Sequence, residues 1–482
     1  MTSLQSRPLA EPTTTSVGAE TAATPALDSS RLPALEPVPT GARTVVSAVI
    51  ARRLFTAAIR RLDVTVEEAA NSRGVGRIFG RGGPRMVIHR PDEFYARVGR
   101  DGLIGFGEAY LTGAWDTDDL ASFLTIPAAR IATLVPEPLQ RARAFVTHRT
   151  PGHQRSTEDN SQANISHHYD LSNELFALFL DETLSYSSAL FPTSLVAGPH
   201  SATATATATG ATELVASPPE GTDIVVDPAG LLHHRDFAEA QGHKIERLLD
   251  EAGVTTGTRV LEIGTGWGEL AIRAARRGAS VHSITLSVEQ LELAEQRVAD
   301  AGFSELVRIE LRDYRALAEP EFAAAYDAIV SVEMIEAVGH EFWGTYFQTI
   351  DHALAPGGRL AIQAITMPHD RMLATQGTQT WINKYVFPGG FLPSVRVIDE
   401  ITAEQTALKR TNLLDFGTHY AETLRRWDER FLSQREAVLA LGFDDLFMRM
   451  WHFYLEYSRA GFASGYINVQ QLTFVKDVTD GR

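Results

Sequence analysis

The chain has 482 residues, which is long enough for more than one structural unit, and its 44% hydrophobic content is sufficient for a core. It contains no cysteine, which excludes disulfides, thiolate metal sites and cysteine nucleophiles. The formal net charge of −16 argues against nucleic-acid binding, and no apolar run approaches the ~20 residues of a membrane span.

The N-terminal part contrasts with this acidic average. Residues 1–40 are rich in Pro, Thr, Ser and Ala and are predicted to be a disordered tail. Residues 44–62 have the pattern of an amphipathic helix. From Arg43 to Arg100 the chain has twelve arginines and five acidic residues, a net charge of +7. From charge alone a solvated helix face is the simpler interpretation, but a basic, partly apolar module is also what contact with a lipid surface requires. We predict a small, partly helical domain of this kind at 41–145.

The remainder, 146–482, is predicted to be one α/β domain. Residues 195–227 form a low-complexity stretch that is predicted to be a flexible insertion without chemistry. Beyond it, apolar strand patterns alternate with helical ones, which indicates a parallel, doubly wound Rossmann-like sheet. Strands are expected near 258–263, 280–285, 306–310, 327–332 and 358–365, and a last strand near 469–476 would complete the sheet.

The turn after the first of these strands carries the strongest signal for a ligand. Glu262 ends an apolar run, and Gly264, Gly266 and Gly268 then lead into an alanine-rich helix. Glycines let a backbone approach a ligand closely, and the helix N-terminus faces that ligand. The spacing is not the G-x-G-x-x-G of a dinucleotide cradle. It resembles motif I of the class I S-adenosylmethionine (SAM) methyltransferases, although such turns also occur for packing alone.

Polar residues follow the next strands where a ligand of this sheet would lie. Thr285, Ser287 and Gln290 stand where a nicotinamide dehydrogenase would usually have an acid, so a dehydrogenase is the weakest interpretation. After the third strand, Asp313 is expected to bind the adenine amino group and Tyr314 to stack. The alternative is that Ser287 caps a helix and Asp313 caps a turn.

Taken together, several segments resemble the cyclopropane-fatty-acyl-phospholipid synthase family, which includes the mycolic-acid cyclopropane synthases. The resemblance covers about residues 100–475 apart from 195–227. It rests on His168-Tyr-Asp-Leu-Ser-Asn-Glu-Leu-Phe176, Tyr186-Ser187, Leu261 to Gly268, Thr285-Leu-Ser287, Asp313-Tyr-Arg315, Ser331 to Gly339, Phe387-Pro-Gly-Gly390 and Phe416 to Trp427. It implies that SAM is the methyl donor and that the substrate is an unsaturated acyl chain, usually on a phospholipid. The residues that it places around SAM are Tyr186, Ser187, Gly264, Gly266, Thr285, Leu286, Gln290, Asp313 and Tyr314.

The resemblance also implies a base, because a carbocation forms when an alkene attacks the sulfonium methyl group and must then lose a proton. In the family this base is thought to be a bound bicarbonate. Of its five contacts, Glu336, the backbone at Ile365 and Tyr420 match here. A cysteine is replaced by Ser188 and a histidine by Gln363, so two contacts are changed and anion binding is expected to be weaker.

A protein carboxylate would compensate for a weaker anion site. We therefore hypothesise that Glu182 or Glu336 supplies negative charge and acts as the base. The alternative for Glu182 is a surface acid that caps a turn. Direct loss of the proton would close a cyclopropane, whereas loss after a hydride shift would give an exocyclic methylene, and the altered anion site favours the methylene slightly.

The leading prediction is thus a SAM-dependent methyltransferase that acts on acyl double bonds of a phospholipid bilayer. A methyltransferase of soluble small molecules and a non-catalytic lipid-binding protein are the alternatives. We also expect a cytoplasmic, peripherally membrane-associated homo-oligomer, no nucleic-acid partner, no metal site, and a separate reductase if the product is a methylene.

Overall fold

The computed structural model describes residues 37–70, 76–131, 172–192 and 234–478, together with positions 35 and 160. The predicted insertion at 195–227, most of the predicted tail and His168 of the family motif lie outside the described residues. The described residues form two β-sheets, one of four strands and one of seven.

The four-stranded sheet belongs to the basic N-terminal part. Its strands have the order β2-β1-β3-β4, with β1 parallel to β3 and antiparallel to β2. The predicted helix over 44–62 is present as α1, but the sequence did not predict this sheet, because strands of three or four residues are too short to show an alternating pattern. The elements are α1 (Ala42–Ile59), β1 (Thr65–Glu68), β2 (Arg77–Gly80), β3 (Arg85–Ile88), α2 (Pro91–Asp101), α3 (Leu103–Leu111), β4 (Trp115–Thr117) and α4 (Leu120–Ala129).

The seven-stranded sheet confirms the predicted α/β class. Its order is β10-β11-β9-β8-β5-β6-β7, and the pairs among β5 to β9 are parallel. The five strands predicted between 258 and 365 are parallel as expected, whereas the last predicted strand, β11, is antiparallel to both β9 and β10. Strand β10 was missed, because its exposed, charged residues do not form an apolar run. The strands are β5 (Arg259–Ile263), β6 (Ser280–Thr285), β7 (Val307–Leu311), β8 (Tyr326–Val332), β9 (Leu354–Thr366), β10 (Leu408–Asp415) and β11 (Asn468–Lys476).

Helices cover the sheet and close its carboxyl edge. They are α5 (Asn173–Phe179), α6 (His234–Glu251), α7 (Glu269–Arg276), α8 (Val288–Asp300), α9 (Ile335–Val338), α10 (Trp343–Ala353), α11 (His369–Thr375), α12 (Trp381–Tyr385), α13 (Val395–Gln405), α14 (Gly417–Ser433), α15 (Arg435–Ala440) and α16 (Asp445–Ala463). The chain leaves β5 towards β6 on one side and returns to β8 on the other. This reversal of direction is where open α/β sheets bind ligands.

One hydrophobic cluster joins the N-terminal part to the α/β part. It includes residues of α2 and α3 together with the long helix α16 and the aromatic side chains of α12. The aromatic residues Trp381, Tyr385 and Phe453 are nearly fully buried in this cluster. Burial of this extent identifies them as core residues.

A buried carboxylate forms hydrogen bonds across the same interface. Glu108 of α3 is fully buried, and its Oε1 accepts hydrogen bonds from Lys384 Nζ at 2.7 Å and from the Tyr385 hydroxyl at 2.9 Å. Its Oε2 accepts one from Arg97 Nη1 at 3.2 Å. Because a buried charge is costly without partners, these contacts fix α3 against α12.

We expect Glu108→Gln to lower the melting temperature by roughly 6 °C, because breaking a buried ion pair costs about 3 kcal/mol and each kcal/mol is worth about 2 °C in a chain of this size. Glu67→Gln is the matched control, since it breaks the Glu67–Arg85 pair, whose two side chains are 31% and 49% exposed. Its shift should stay below about 2 °C. Equal shifts in a thermal unfolding scan would contradict this account of the interface.

Candidate active site

The glycine turn lies between β5 and α7, at the reversal point of the sheet. Gly264, Gly266 and Gly268 all have positive φ, at 98°, 53° and 87°. A Cβ added at Gly264 would lie 2.6 Å from Met334 Cγ, so that glycine is required for packing. A Cβ at Gly266 would meet no atom within 4 Å, so its backbone faces open space. Gly266 therefore has the accessible backbone that a cradle for SAM needs.

Glu262 lies under this turn and is 3% exposed. Its carboxylate accepts a hydrogen bond from the Ser283 hydroxyl at 2.6 Å, and that hydroxyl also contacts Thr265 Oγ1 at 2.7 Å. Burial raises the pKa of Glu262 to about 8. Glu262 is thus connected to the glycine turn through Ser283 and Thr265.

The polar residues after β6 form one bonded group. The Thr285 hydroxyl donates to the side-chain Oε1 of Gln290 at 2.9 Å, and the Ser287 hydroxyl accepts from the main-chain amide of Gln290 at 3.1 Å. Ser287 is therefore the N-cap of α8, as the capping alternative predicts. Leu286 between them is partly buried. The end of β6 lies next to the glycine turn, since Gly264 N donates to Ile284 O.

Asp313 and Tyr314 follow β7. Asp313 accepts from the Arg315 amide and pairs with the Arg315 guanidinium, both at 2.9 Å, so it caps a 3₁₀ turn over Tyr314–Ala318. Tyr314 packs edge-on against Tyr346, and its buried hydroxyl has no hydrogen-bond partner among the described residues. An unsatisfied buried hydroxyl at a strand end is consistent with a polar ligand, so these residues fit SAM.

The loop at 180–190 crosses in front of the glycine turn. The Tyr186 hydroxyl contacts the Tyr454 hydroxyl at 2.8 Å. The Ser187 hydroxyl accepts a 2.5 Å hydrogen bond from Lys244 Nζ, and this lysine is 1% exposed. Burial lowers the pKa of Lys244 to about 8, and the charges of Glu333 and Asp181 oppose that shift. A cation therefore lies directly behind the residues that the resemblance assigns to SAM.

The next residue, Ser188, reaches a carboxylate that the sequence did not identify. Oε1 of Glu333 accepts from Ser188 N at 3.0 Å and from Gln363 Nε2 at 2.8 Å, and Oε2 accepts from the Tyr420 hydroxyl at 2.7 Å. The structure thus gathers Ser188, Gln363 and Tyr420 as predicted, but around Glu333. The Ser188 hydroxyl donates to Ala189 O instead, so its main-chain amide is the group that serves the carboxylate.

The other two groups that the resemblance assigns to the anion, Glu336 and the backbone at Ile365, are hydrogen-bonded to each other. Ile365 N donates to Glu336 Oε1 at 2.5 Å, whereas Glu336 Oε2 has no hydrogen-bond partner among the described residues. Burial and, second, the charge of Glu333 raise the pKa of Glu336 to about 8. Glu182, the other hypothetical base, has an exposed side chain, and its main-chain oxygen accepts from Arg297 at 3.4 Å.

Glu333 was missed because its partners are remote in the sequence. Residues 30, 87 and 145 positions away supply the three donors. The available signal was an acidic residue directly after the apolar strand β8, within the segment Ser331 to Gly339 that the resemblance includes.

Among the described residues, no group of three or more His, Cys, Asp or Glu side chains is arranged to hold a metal ion. None of the described helices is both long and apolar enough to cross a membrane.

Known proteins resemble the chain over most of its length. The model of the family described as mycolic acid cyclopropane synthetase matches residues 156–472. The tuberculostearic acid methyltransferase UfaA1 of Mycobacterium tuberculosis is 47% identical over 468 residues, which are 95% of this chain and 99% of that protein. The cyclopropane-fatty-acyl-phospholipid synthase of Escherichia coli is 28% identical and covers 82% of this chain and 88% of its own.

Solved structures agree with the fold. The mycolic acid cyclopropane synthase CmaA1, in a crystal structure with SAH and CTAB, is 26% identical and has a TM-score of 0.52. It covers 68% of this chain and 99% of its own. The cyclopropane synthase MmaA2 from Mycobacterium tuberculosis has the same TM-score at 27% identity, covering 68% of this chain and 99% of its own. The chain therefore belongs to the mycolic acid cyclopropane synthetase family, which has the SAM-dependent methyltransferase fold.

Proposed function

We propose that this enzyme transfers the methyl group of SAM to the double bond of an unsaturated fatty acyl chain on a membrane phospholipid and releases an exocyclic methylene product. The main observation is that the glycine turn and the Glu333 carboxylate adjoin. Met334, the residue after Glu333, packs on Gly264, and Ser188, whose amide donates to Glu333, directly follows Ser187, which the resemblance assigns to SAM. A methyl donor on the glycines would thus lie beside a group able to accept a proton.

The relatives support the substrate class and the product. The protein that is 47% identical over nearly the whole chain is named a tuberculostearic acid methyltransferase. The relative named a cyclopropane-fatty-acyl-phospholipid synthase is 28% identical. The greater similarity to the methyltransferase supports a methylene, which a separate reductase would convert into a methyl branch.

The residues of the chain would bind and orient the reactants. SAM, when bound, supplies an electrophilic methyl group, and Glu262, Gly266, Thr285, Gln290 and Asp313 would hold it. The stacked rings of Tyr420 and Phe462, with centroids 4.3 Å apart, offer an apolar wall beside Glu333. An apolar wall next to a carboxylate suits a lipid chain on which positive charge develops.

The bilayer is proposed as the partner of α1. Val45, Val46, Val49, Ile50 and Leu54 form an apolar stripe on this helix, and each is between 44% and 65% exposed. The arginines at 43, 53, 60 and 61 are exposed beside the stripe. An exposed apolar stripe flanked by cations is the arrangement that inserts into an anionic lipid surface.

The product is predicted to be a methylene fatty acid. Purified protein should be incubated with SAM and vesicles of an oleoyl phospholipid, and the released acyl chains examined by proton NMR, because cyclopropane and methylene isomers have the same mass. Vinylidene protons are expected, and their absence when SAM is omitted is the control. Upfield ring protons would show a cyclopropane synthase instead, and unchanged oleate would exclude this substrate.

We expect Gly266→Val to weaken SAM binding at least about tenfold, a loss of about 1.4 kcal/mol, because the added side chain fills the space above the turn. Gly302→Val is the matched control, since Gly302 also has a positive φ of 79° and open space around its Cβ. Calorimetric titration with SAM should distinguish the two variants. Equal affinities would show that SAM does not lie on this turn.

The double substitution Val46→Asp and Ile50→Asp should reduce binding to anionic vesicles at least about tenfold, because each buried side chain contributes about 1.5–3 kcal/mol. Leu432→Asp with Leu446→Asp is the control, since these leucines are 44% and 36% exposed on other helices. Co-sedimentation with phosphatidylglycerol vesicles measures both. Undiminished binding of the α1 variant would exclude this surface.

A further inference from the structure

Glu333 has a backbone conformation that needs explanation. Its φ is 52°, in the left-handed region that glycine adopts freely and that costs other residues about 1–2 kcal/mol. It comes directly after β8, and its own amide donates to Gln363 O at 2.7 Å. Strain of this kind persists where the surrounding structure enforces it, and it is concentrated at functional sites.

The strained backbone of Glu333 places its carboxylate among three hydrogen-bond donors. Both oxygens accept hydrogen bonds, from Ser188 N, Gln363 Nε2 and the Tyr420 hydroxyl, at 2.7 to 3.0 Å. These three positions are among the contacts that the family resemblance assigns to a bound bicarbonate. A carboxylate and a bicarbonate share a planar O–C–O group with one negative charge. The side chain of Glu333 therefore has the partners that an exchangeable anion would have.

We infer that Glu333 is the catalytic base and that it takes the place of the bicarbonate in this chain. The inference rests on the proposed function and specifies how its last step occurs. The π electrons of the alkene bond to the methyl carbon while the S–C pair returns to sulfur, and a cation forms on the neighbouring carbon. A hydride shift moves the cation to the methylated carbon. Glu333 then takes a proton from the former methyl group, and that C–H pair becomes the C=C bond of the methylene.

The charges around Glu333 keep it available as a base. Burial raises the pKa of Glu333, and hydrogen bonds from Gln363 and Tyr420 and the charge of Lys244 oppose that shift. Glu336 faces it from α9 and accepts one hydrogen bond, from Ile365 N, whereas its Oε2 has no hydrogen-bond partner among the described residues. Glu333 accepts three hydrogen bonds, which favour its ionised form over that of Glu336. Its raised pKa also predicts a rate that increases with pH through that pKa, because only the ionised form accepts a proton.

Two variants distinguish the loss of a catalytic base from a loss of folded structure. Glu333→Gln retains the size of the side chain and removes its charge, so turnover should fall at least about 100-fold, the usual contribution of a general base. Glu333→Gly relieves the left-handed strain and opens the space. It should be equally impaired in carbonate-free buffer and should recover at least about tenfold when bicarbonate is added. Glu404→Gln, on the exposed face of α13, is the control and should retain full turnover.

Bicarbonate binding provides a measurement that needs no activity. By ¹³C NMR, labelled bicarbonate should bind to Glu333→Gly, whereas the wild-type protein should not bind it. Wild-type turnover should not change when carbonate is removed. The inference is overturned if the wild type binds bicarbonate or requires it, or if Glu333→Gln retains turnover within about threefold. A wild type that binds SAM but methylates no acyl chain would instead contradict the proposed function, and the binding measurement would still test whether Glu333 takes the place of the anion.

Discussion

The hydrogen bonds to the carboxylate of Glu333 hold together three segments that come from distant parts of the chain. The loop at 180–190 contributes a main-chain amide, β9 contributes Gln363, and α14 contributes Tyr420. Each donor is itself held, since Gln363 Oε1 accepts from Gln471 of β11 and the Tyr420 ring stacks on Phe462 of α16. The site is therefore preorganised by the same contacts that connect the sheet to its covering helices.

The buried charges of the site balance one another. Lys244 lies behind the loop at 180–190, and Glu333 and Asp181 both attract it. Glu336 and Glu262 have pKa values of about 8 because burial penalises their ionised forms. In a medium of low dielectric constant, one ionised carboxylate next to one cation is favourable, whereas several ionised carboxylates would repel one another. In the reaction that we propose, the negative charge of Glu333 would stabilise the carbocation.

The N-terminal part does more than carry basic residues. Its helix α3 contributes Glu108 to a buried ion cluster with Lys384 and Tyr385 of α12, and its side chains share a hydrophobic cluster with α16. The helix α16 also supplies Tyr454, whose hydroxyl contacts Tyr186 in front of the glycine turn. The helix that we propose to enter the bilayer is thus continuous, through packed side chains, with the walls of the active site.

Much of the fold followed from local patterns. The apolar runs gave β5, β6, β7 and β8 to within one or two residues, and the glycine turn marked the switch point, because burial on both faces and left-handed turns leave clear signals in sequence. The short N-terminal strands and the charged strand β10 leave no such signal. Residues that the family resemblance placed around an anion, such as Ser188 and Gln363, do lie together.

Tertiary structure alone decided which carboxylate Ser188, Gln363 and Tyr420 surround. The sequence around Glu333 does not show its partners, since its donors lie 30 to 145 residues away and only the folded chain brings them to it. Glu182 was plausible by spacing, yet the loop leaves its side chain exposed. The sequence by itself thus determined the parallel strands of the large sheet, the glycine turn and the family. The carboxylate that Ser188, Gln363 and Tyr420 surround depended on long-range contacts, because a hydrogen-bond network forms between elements that the sequence keeps apart.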